Sequence, residues 1–283
     1  VITIDAEWGT PLDPEKFKTI LEKDDKKEIK AVILTHSETS TGVINDLKTI
    51  SSYIRNHKKA LSIIDCVTSI GACNVPVDDW ELDIVASGSQ KGYMIPPGLS
   101  FVSMSEKAWQ ASENSNLPKF YLNLKSYKKS LSSNSNPYTP AVNLVFALDE
   151  SLKMMKDEGL DKIFKRHERH KLAVSEAAKT LNLKLFADEN HLSPAVTAIQ
   201  IEDIDAEQFR KNIKNKYDIL LAGGQDHLKG KIFRVGHLGY VNDRDIITVI
   251  AAIGNTLVEQ NIISTDTAAV SYTHLTLPTS DLV

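Results

Sequence analysis

The feature that most restricts how this chain can fold is a set of short, almost unbroken apolar runs. They span Ala31–Thr35, residues 60–64 and residues 83–86, and each ends in a cluster of small and polar residues. Runs this short fit strands better than helices. Their continuous apolar character, without alternation, is expected of strands covered on both faces, as in a parallel sheet. Between the first two runs, Leu47, Ile50, Tyr53 and Ile54 fall on one stripe of a helix predicted over residues 45–58. An earlier helix is signalled by Asp13-Pro14-Glu15, where aspartate caps and proline fits the first turn. Strand–helix–strand units of this kind connect by right-handed crossovers.

After Pro140 the pattern turns helical, over residues 142–156 and 160–181, with Gly159 as the break. Strand-like segments at 195–201, 219–222 and 231–235 then alternate with helices at 206–216 and 242–259. We therefore expect a large α/β domain over residues 1–158 and a smaller α+β domain over 159–260. Residues 261–283 are set aside as a tail. The chain has no lysine or arginine after Arg244, is threonine-rich with no clear period from Ser264, and over residues 270–280 resembles translated vector sequence. The tail is read as non-native or disordered.

Composition excludes several classes. The net charge is −4, from 33 basic and 37 acidic side chains, which marks neither a nucleic-acid binder nor an anionic-membrane partner. No apolar run approaches the roughly 20 residues of a membrane span. The first residues lack the charged flank and apolar stretch of a signal peptide, and no initiator methionine is present. The chain is therefore expected to begin inside a longer protein. Cys66 and Cys73 form no CxxC pair, so reduced thiols in the cytoplasm are expected.

In an open parallel sheet, ligands sit beyond the carboxyl ends of the strands. Three polar clusters fall there: residues 36–42 (His-Ser-Glu-Thr-Ser-Thr-Gly), 65–71 (Asp-Cys-Val-Thr-Ser-Ile-Gly) and 87–92 (Ser-Gly-Ser-Gln-Lys-Gly). All three should converge on one crevice. Asp65 ends an apolar run, so a partly buried carboxylate in need of a cation or donors is expected; a structural aspartate or helix cap is the competing reading. Lys91 lies among Gly88, Ser89 and Gly92, which let backbone approach a ligand closely. Taken alone it would be a surface lysine. A lysine and an aspartate ending adjacent strands suit pyridoxal phosphate, which needs an amine for a Schiff base and a carboxylate for its ring nitrogen.

At this point the motifs acquire a family resemblance. Residues 36–43, 65–71 and 88–98, the last reading Gly-Ser-Gln-Lys-Gly-Tyr-Met-Ile-Pro-Pro-Gly, resemble the class V aminotransferases. The branch most similar is that of alanine–glyoxylate and serine–glyoxylate (serine–pyruvate) aminotransferases. The similarity runs from Trp8-Gly9 to about Glu259. It implies the pyridoxal-phosphate-dependent transferase fold (fold type I), with a mostly parallel sheet, flanking helices and a smaller C-terminal α+β domain. It also implies that the front of the large domain, with a phosphate loop and a ring-stacking aromatic residue, is missing.

The resemblance further implies roles. Lys91 would carry pyridoxal 5'-phosphate and move the proton, Asp65 would pair with the ring nitrogen, and Val67 would pack on the ring face. Thr39 would contact the ring hydroxyl region and Gln90 the phosphate. Asn136 and Thr139 would reach the phosphate of a neighbouring subunit, in a homodimer with its active site at the interface. Thr139-Pro140 also reads as a helix start. Arg234 would bind the substrate carboxylate, for which a planar two-donor fork is suited; otherwise it is an exposed strand arginine. The implied reaction passes an amino group from serine or alanine to glyoxylate or pyruvate in ping-pong fashion, with no metal.

A cysteine desulfurase needs a histidine before the lysine and a cysteine downstream, whereas Gln90 precedes Lys91 and both cysteines lie upstream. A non-catalytic, aminotransferase-like subunit stays open. His167 and His170 sit among Lys165, Arg166, Arg169 and Lys171, so a solvated basic face is expected there rather than a metal site. Gly223-Gly224 lacks the ending of a P-loop. Ser40, His36 and Asp65 lack the G-x-S-x-G elbow of a hydrolase.

Overall fold

A computed structural model describes residues 1–202 and 204–271. Helix α1 (Pro14–Glu22) leads to strand β1 (Ala31–Thr35), a small hairpin of β2 (Ser37–Glu38) and β3 (Val43–Ile44), and helix α2 (Leu47–His57). Strands β4 (Leu61–Asp65), β5 (Ile84–Gly88) and β6 (Ser100–Met104) follow, then helices α3 (Glu106–Glu113), α4 (Leu124–Leu131), α5 (Val142–Glu158) and α6 (Leu160–Thr180). The last third holds β7 (Lys184–Leu185), β8 (Val196–Gln200), α7 (Ala206–Tyr217), β9 (Ala222–Gly223), β10 (Ile232–Gly236), α8 (Asp243–Glu259) and α9 (Thr265–Ser271).

Local signals set several boundaries. The Asp13 carboxylate accepts the Glu15 N–H with Pro14 in the first turn, as the sequence predicts. Asp46 accepts the Thr49 N–H and starts α2. The expected helix start at Thr139-Pro140 is corrected: the cap position is Ala141, without a side-chain bond. Gly159, at φ +87°, separates α5 from α6.

The first sheet runs β1-β4-β5-β6. Its first three strands are parallel, and β6 adds antiparallel to the edge. Leu34, Ile64 and Val85 face α1 and α2, where Phe17, Leu21, Leu47, Ile50 and Ile54 complete one core. The other face departs from expectation. Ile33 is 75% exposed and Val102 46% exposed, and Ile63, in register with Ile33, is only half-buried. Both helices of the strand–helix–strand unit pack on one side, so coverage on both faces does not occur among the described residues.

The second sheet, β7-β8-β10-β9, is antiparallel. Helices α6, α7 and α8 lay Val174, Phe209, Ile213, Ile246 and Ile250 against Ile199 and Phe233. The Phe209 and Phe233 rings stack with centroids 5.2 Å apart. The predicted strand at 219–222 is corrected to the two-residue β9, with the Leu221 carbonyl accepting from Arg210 Nε at 2.8 Å rather than from a neighbouring strand. The tail expectation is corrected in part. Residues 265–271 form α9, with Ala268 buried and close to Gly254 of α8; residues 272–283 lie outside the described residues. No described helix is long and apolar enough to cross a membrane.

Candidate active site

The three polar clusters meet at the C-terminal edge of the parallel strands. Thr35 and Asp65 are in register. The His36 N–H donates to the Asp65 carbonyl and the Cys66 N–H to the Ala86 carbonyl, both at 2.9 Å. Glycines bring the second and third clusters together. Gly71 has φ +81°, and a β-carbon there would sit 3.0 Å from Gly92 Cα. A β-carbon on Gly92 would in turn collide with the Ile70 carbonyl oxygen. Only glycine at both positions lets the two turns lie backbone to backbone.

The turn carrying Lys91 is strapped from several sides. The Met94 N–H donates to the Lys91 carbonyl at 3.0 Å, and the Ile95 N–H donates to the Ser89 carbonyl at 3.3 Å. Ser89 Oγ donates to the Pro96 carbonyl at 2.8 Å and accepts the Leu99 N–H at 3.2 Å. Ser151 Oγ of α5 donates to the Tyr93 carbonyl. Met94 stands at φ +60°, a backbone conformation that a long side chain holds only under constraint. Against this fixed backbone, the half-buried Lys91 side chain has no hydrogen bond or ion pair to any described residue. A free amine on a rigid turn is available for covalent chemistry.

Asp65 is exposed rather than partly buried, a correction that follows from its place on the open face of the sheet beside Ile63. Its Oδ1 accepts the Val67 N–H at 2.9 Å, and Oδ2 makes no bond within the described chain. Val67 lies close to Gly88, where a β-carbon would stand 3.6 Å from Val67 Cγ1. Gln90 is exposed, with its Oε1 3.1 Å from that same point.

Arg234 is 9% exposed in the middle of β10, so it is not an exposed strand arginine. Its Nε donates to the Gly223 carbonyl at 2.8 Å and its Nη1 to the Thr39 carbonyl at 2.6 Å. Burial lowers its pKa while Glu38 opposes the shift; the guanidinium stays cationic at neutral pH. Arg234 thus joins the second sheet to the first polar cluster, with Nη2 free of bonds to described residues. Asn136 and Thr139 lie elsewhere, exposed and without side-chain bonds to described residues.

The predicted solvated face at His167 and His170 is overturned. Both are fully buried. The missed signal is a stripe of Ile163, His167, His170, Val174, Ala177 and Leu181, spaced three and four apart and all buried. Burial pushes His167 down to about 4 and lowers His170. His36, in the first cluster, is also buried, and its Nδ1 has no partner. The unpartnered amine of Lys91, the open Oδ2 of Asp65 and the close glycine turns fit a cofactor with a carbonyl, a ring nitrogen and little clearance.

The sequence pattern of the family described as aminotransferase class-V matches residues 2–240. The soluble hydrogenase 42 kDa subunit of Anabaena cylindrica is 59% identical over 92% of this chain and 68% of its own. Serine–glyoxylate aminotransferase of Methylorubrum extorquens is 34% identical over 93% of this chain and 67% of its own. Among solved structures, the ureidoglycine–glyoxylate aminotransferase of Bacillus subtilis superposes with a TM-score of 0.88 at 32% identity, covering 96% of this chain and 70% of that one. The chain thus spans about two thirds of the length of the relatives it matches.

Proposed function

We propose that this chain, which belongs to the class V aminotransferase family, transfers an amino group from a small amino acid, serine or alanine, to glyoxylate or pyruvate in two separate half-reactions. The family implies pyridoxal phosphate, which when bound supplies an electron sink for the bond-breaking at the substrate α-carbon. Lys91 would hold it through the side-chain amine, Asp65 would keep a proton on its ring nitrogen, and Val67 would cover one ring face. Thr39 and Gln90 would contact its hydroxyl and phosphate ends. With the substrate in place, Lys91 Nζ would accept the proton lost from the substrate α-carbon and hold it for return as product forms, a task suited to an amine with no competing partner among the described residues. Arg234 binds the substrate carboxylate through its free Nη2 edge. Glyoxylate as acceptor is supported by the names of two relatives, from Methylorubrum extorquens and Bacillus subtilis, whose donors differ.

A homodimer working in the cytoplasm completes the reading. Asn136 and Thr139 lie in a stretch flanked by Phe120 at 79%, Leu131 at 74% and Phe146 at 71% exposure, apolar surface that a second copy would cover. The observation that carries the function is the unpartnered Lys91 amine on its strapped turn. Borohydride reduction of the protein incubated with pyridoxal phosphate, followed by peptide mapping, should place a pyridoxyl group on Lys91; labelling at any other lysine sinks the assignment. A screen of amino acids for loss of the visible cofactor band then identifies the donor.

A second reading has its own support, since the Anabaena cylindrica relative is named as a hydrogenase subunit. An intact protein that takes up no cofactor and leaves Lys91 unmodified would favour this non-catalytic role.

A further inference from the structure

Three fully buried histidines, His167, His170 and His237, lie beneath the exit of β10. His237 bonds inside the second domain, its Nδ1 3.0 Å from the Pro194 carbonyl and its Nε2 2.9 Å from Thr197 Oγ1. His170 Nε2 meets Asp243 Oδ1 at 2.8 Å. His167 does something different. Its Nδ1 lies 2.8 Å from the Ile163 carbonyl, an acceptor, so that nitrogen carries the hydrogen. The Nε2 lone pair then accepts the Gly239 N–H at 3.1 Å. The neighbouring Arg166 reaches the same loop: Nη1 donates to the carbonyls of Gly239 and Val241 at 2.9 and 3.0 Å. Its Nε and Nη2 are held by both oxygens of Glu158 at 2.7 and 2.9 Å. Helix α6 therefore grips Gly239 by its N–H and its carbonyl together.

Gly239 in turn lies against the Lys91 turn. It has φ +85°, and a β-carbon there would stand 3.4 Å from Met94 Cγ and 3.5 Å from the Lys91 carbonyl oxygen. It also follows Arg234 by a few residues at the exit of β10. One short stretch thus carries the carboxylate-binding arginine at one end and braces the strained Lys91–Met94 turn at the other. We propose that Arg166 and His167 are positioning residues, which by gripping Gly239 hold Lys91 and Arg234 at a fixed separation. Misplacing reacting groups by an ångström from a distance slows a reaction by about a hundredfold. This inference rests on the roles proposed for Lys91 and Arg234, but its first readout does not.

That readout is amide hydrogen exchange in wild type, His167→Leu and His167→Gln, measured with and without pyridoxal phosphate. Leucine removes the acceptor and leaves a buried N–H unpaired, whereas glutamine keeps an acceptor near the Nε2 position. Leucine should speed exchange in residues 237–241 by about tenfold or more, and the effect should pass to residues 91–95; glutamine should restore both. In the loaded protein, His167→Leu should lower kcat and raise KM for the amino donor per folded molecule, with rescue by glutamine. Loosening confined to 237–241, unchanged kinetic constants per folded molecule, or no rescue would each overturn the proposal. Should His167→Leu not fold, Gly239→Ala substitutes: alanine is strained at φ +85°, so the gripped backbone must shift beside the Lys91 carbonyl; unaltered exchange at 91–95 would then overturn the proposal. A wild type that binds no cofactor but shows the coupled exchange defeats the functional reading alone.

Discussion

The two sheets of this protein reverse the usual relation between topology and burial. The parallel strands β1 and β4 ordinarily demand cover on both faces, yet β4 alternates between buried and accessible residues and β1 buries only Leu34. The antiparallel strands β8 and β10, which tolerate one wet face, are buried along nearly their whole length. The difference lies in what each sheet has to pack against. Helices α6, α7 and α8 cover one side of the second sheet, and the hairpin of the first domain leans on its other side. There Gly42, at φ +77°, brings its backbone against Ala198, and the Ser193 N–H donates to the Gly42 carbonyl at 2.8 Å. The first sheet has α1 and α2 on one face only. Asp65 stands on that open side, while Arg234, which reaches the first polar cluster at Thr39, comes from the well-packed second sheet.

That contrast can be tested by acid first. Burial holds His36 and His167 down to about 4 and His237 down to about 3. Each is neutral in the folded state and free to protonate when unfolded. Their effect is therefore absent above the ordinary histidine pKa of about 6.5, destabilises progressively as pH falls through it, and levels off below the folded value. His36 and His167 each account for up to roughly 3 kcal/mol, and His237 for up to roughly 5 kcal/mol. Urea midpoints at pH 7, 6 and 5 should fall steeply, and hydrogen exchange should show α6 and the second sheet, around His167 and His237, loosening before the first sheet. A flat profile would mean that these histidines are hydrated.

Next in size, Phe233→Ala should lower stability by about 4 kcal/mol, because the ring is fully buried against Phe209 and leaves a cavity. Arg234→Gln should come third. It breaks the bond to the Thr39 carbonyl that ties the second sheet to the first polar cluster and removes the proposed carboxylate contact at Nη2, so kcat/KM for the amino donor should drop about thirtyfold, or ~2 kcal/mol. The smallest effect belongs to the open face. Ile33→Ser should change stability by less than about 0.5 kcal/mol, since Ile33 is 75% exposed. A loss of 2 kcal/mol or more there would show that the face is covered in solution.

Much of this was legible in the order of residues. The apolar runs placed β1, β4 and β5, the Asp13-Pro14 signal placed α1, and the glycine-rich clusters marked the strand ends that converge. These signals are local: run length, period and capping chemistry act over a few neighbours, so the chain carries them openly. The burial of Asp65 was misjudged for the opposite reason. An apolar run states that a strand prefers cover, but only the arrangement of helices decides which face receives it. The histidine stripe of α6 shows the same division. Its spacing is readable, yet charged neighbours at Lys165, Arg166 and Arg169 suggest a wet face, and burial is settled by β8, α8 and the loop after β10 packing onto the helix.

By itself, then, the sequence determined the strands and helices with strong local signals, the clustering of polar groups at strand ends and the family, because each depends on near neighbours along the chain. Tertiary structure alone decided that the Lys91 amine stands without a polar partner among the described residues, that Arg234 joins the second sheet to Thr39, and that His167 and Gly239 meet. Those outcomes depend on contacts between residues far apart in the chain, whose geometry only the packed fold defines.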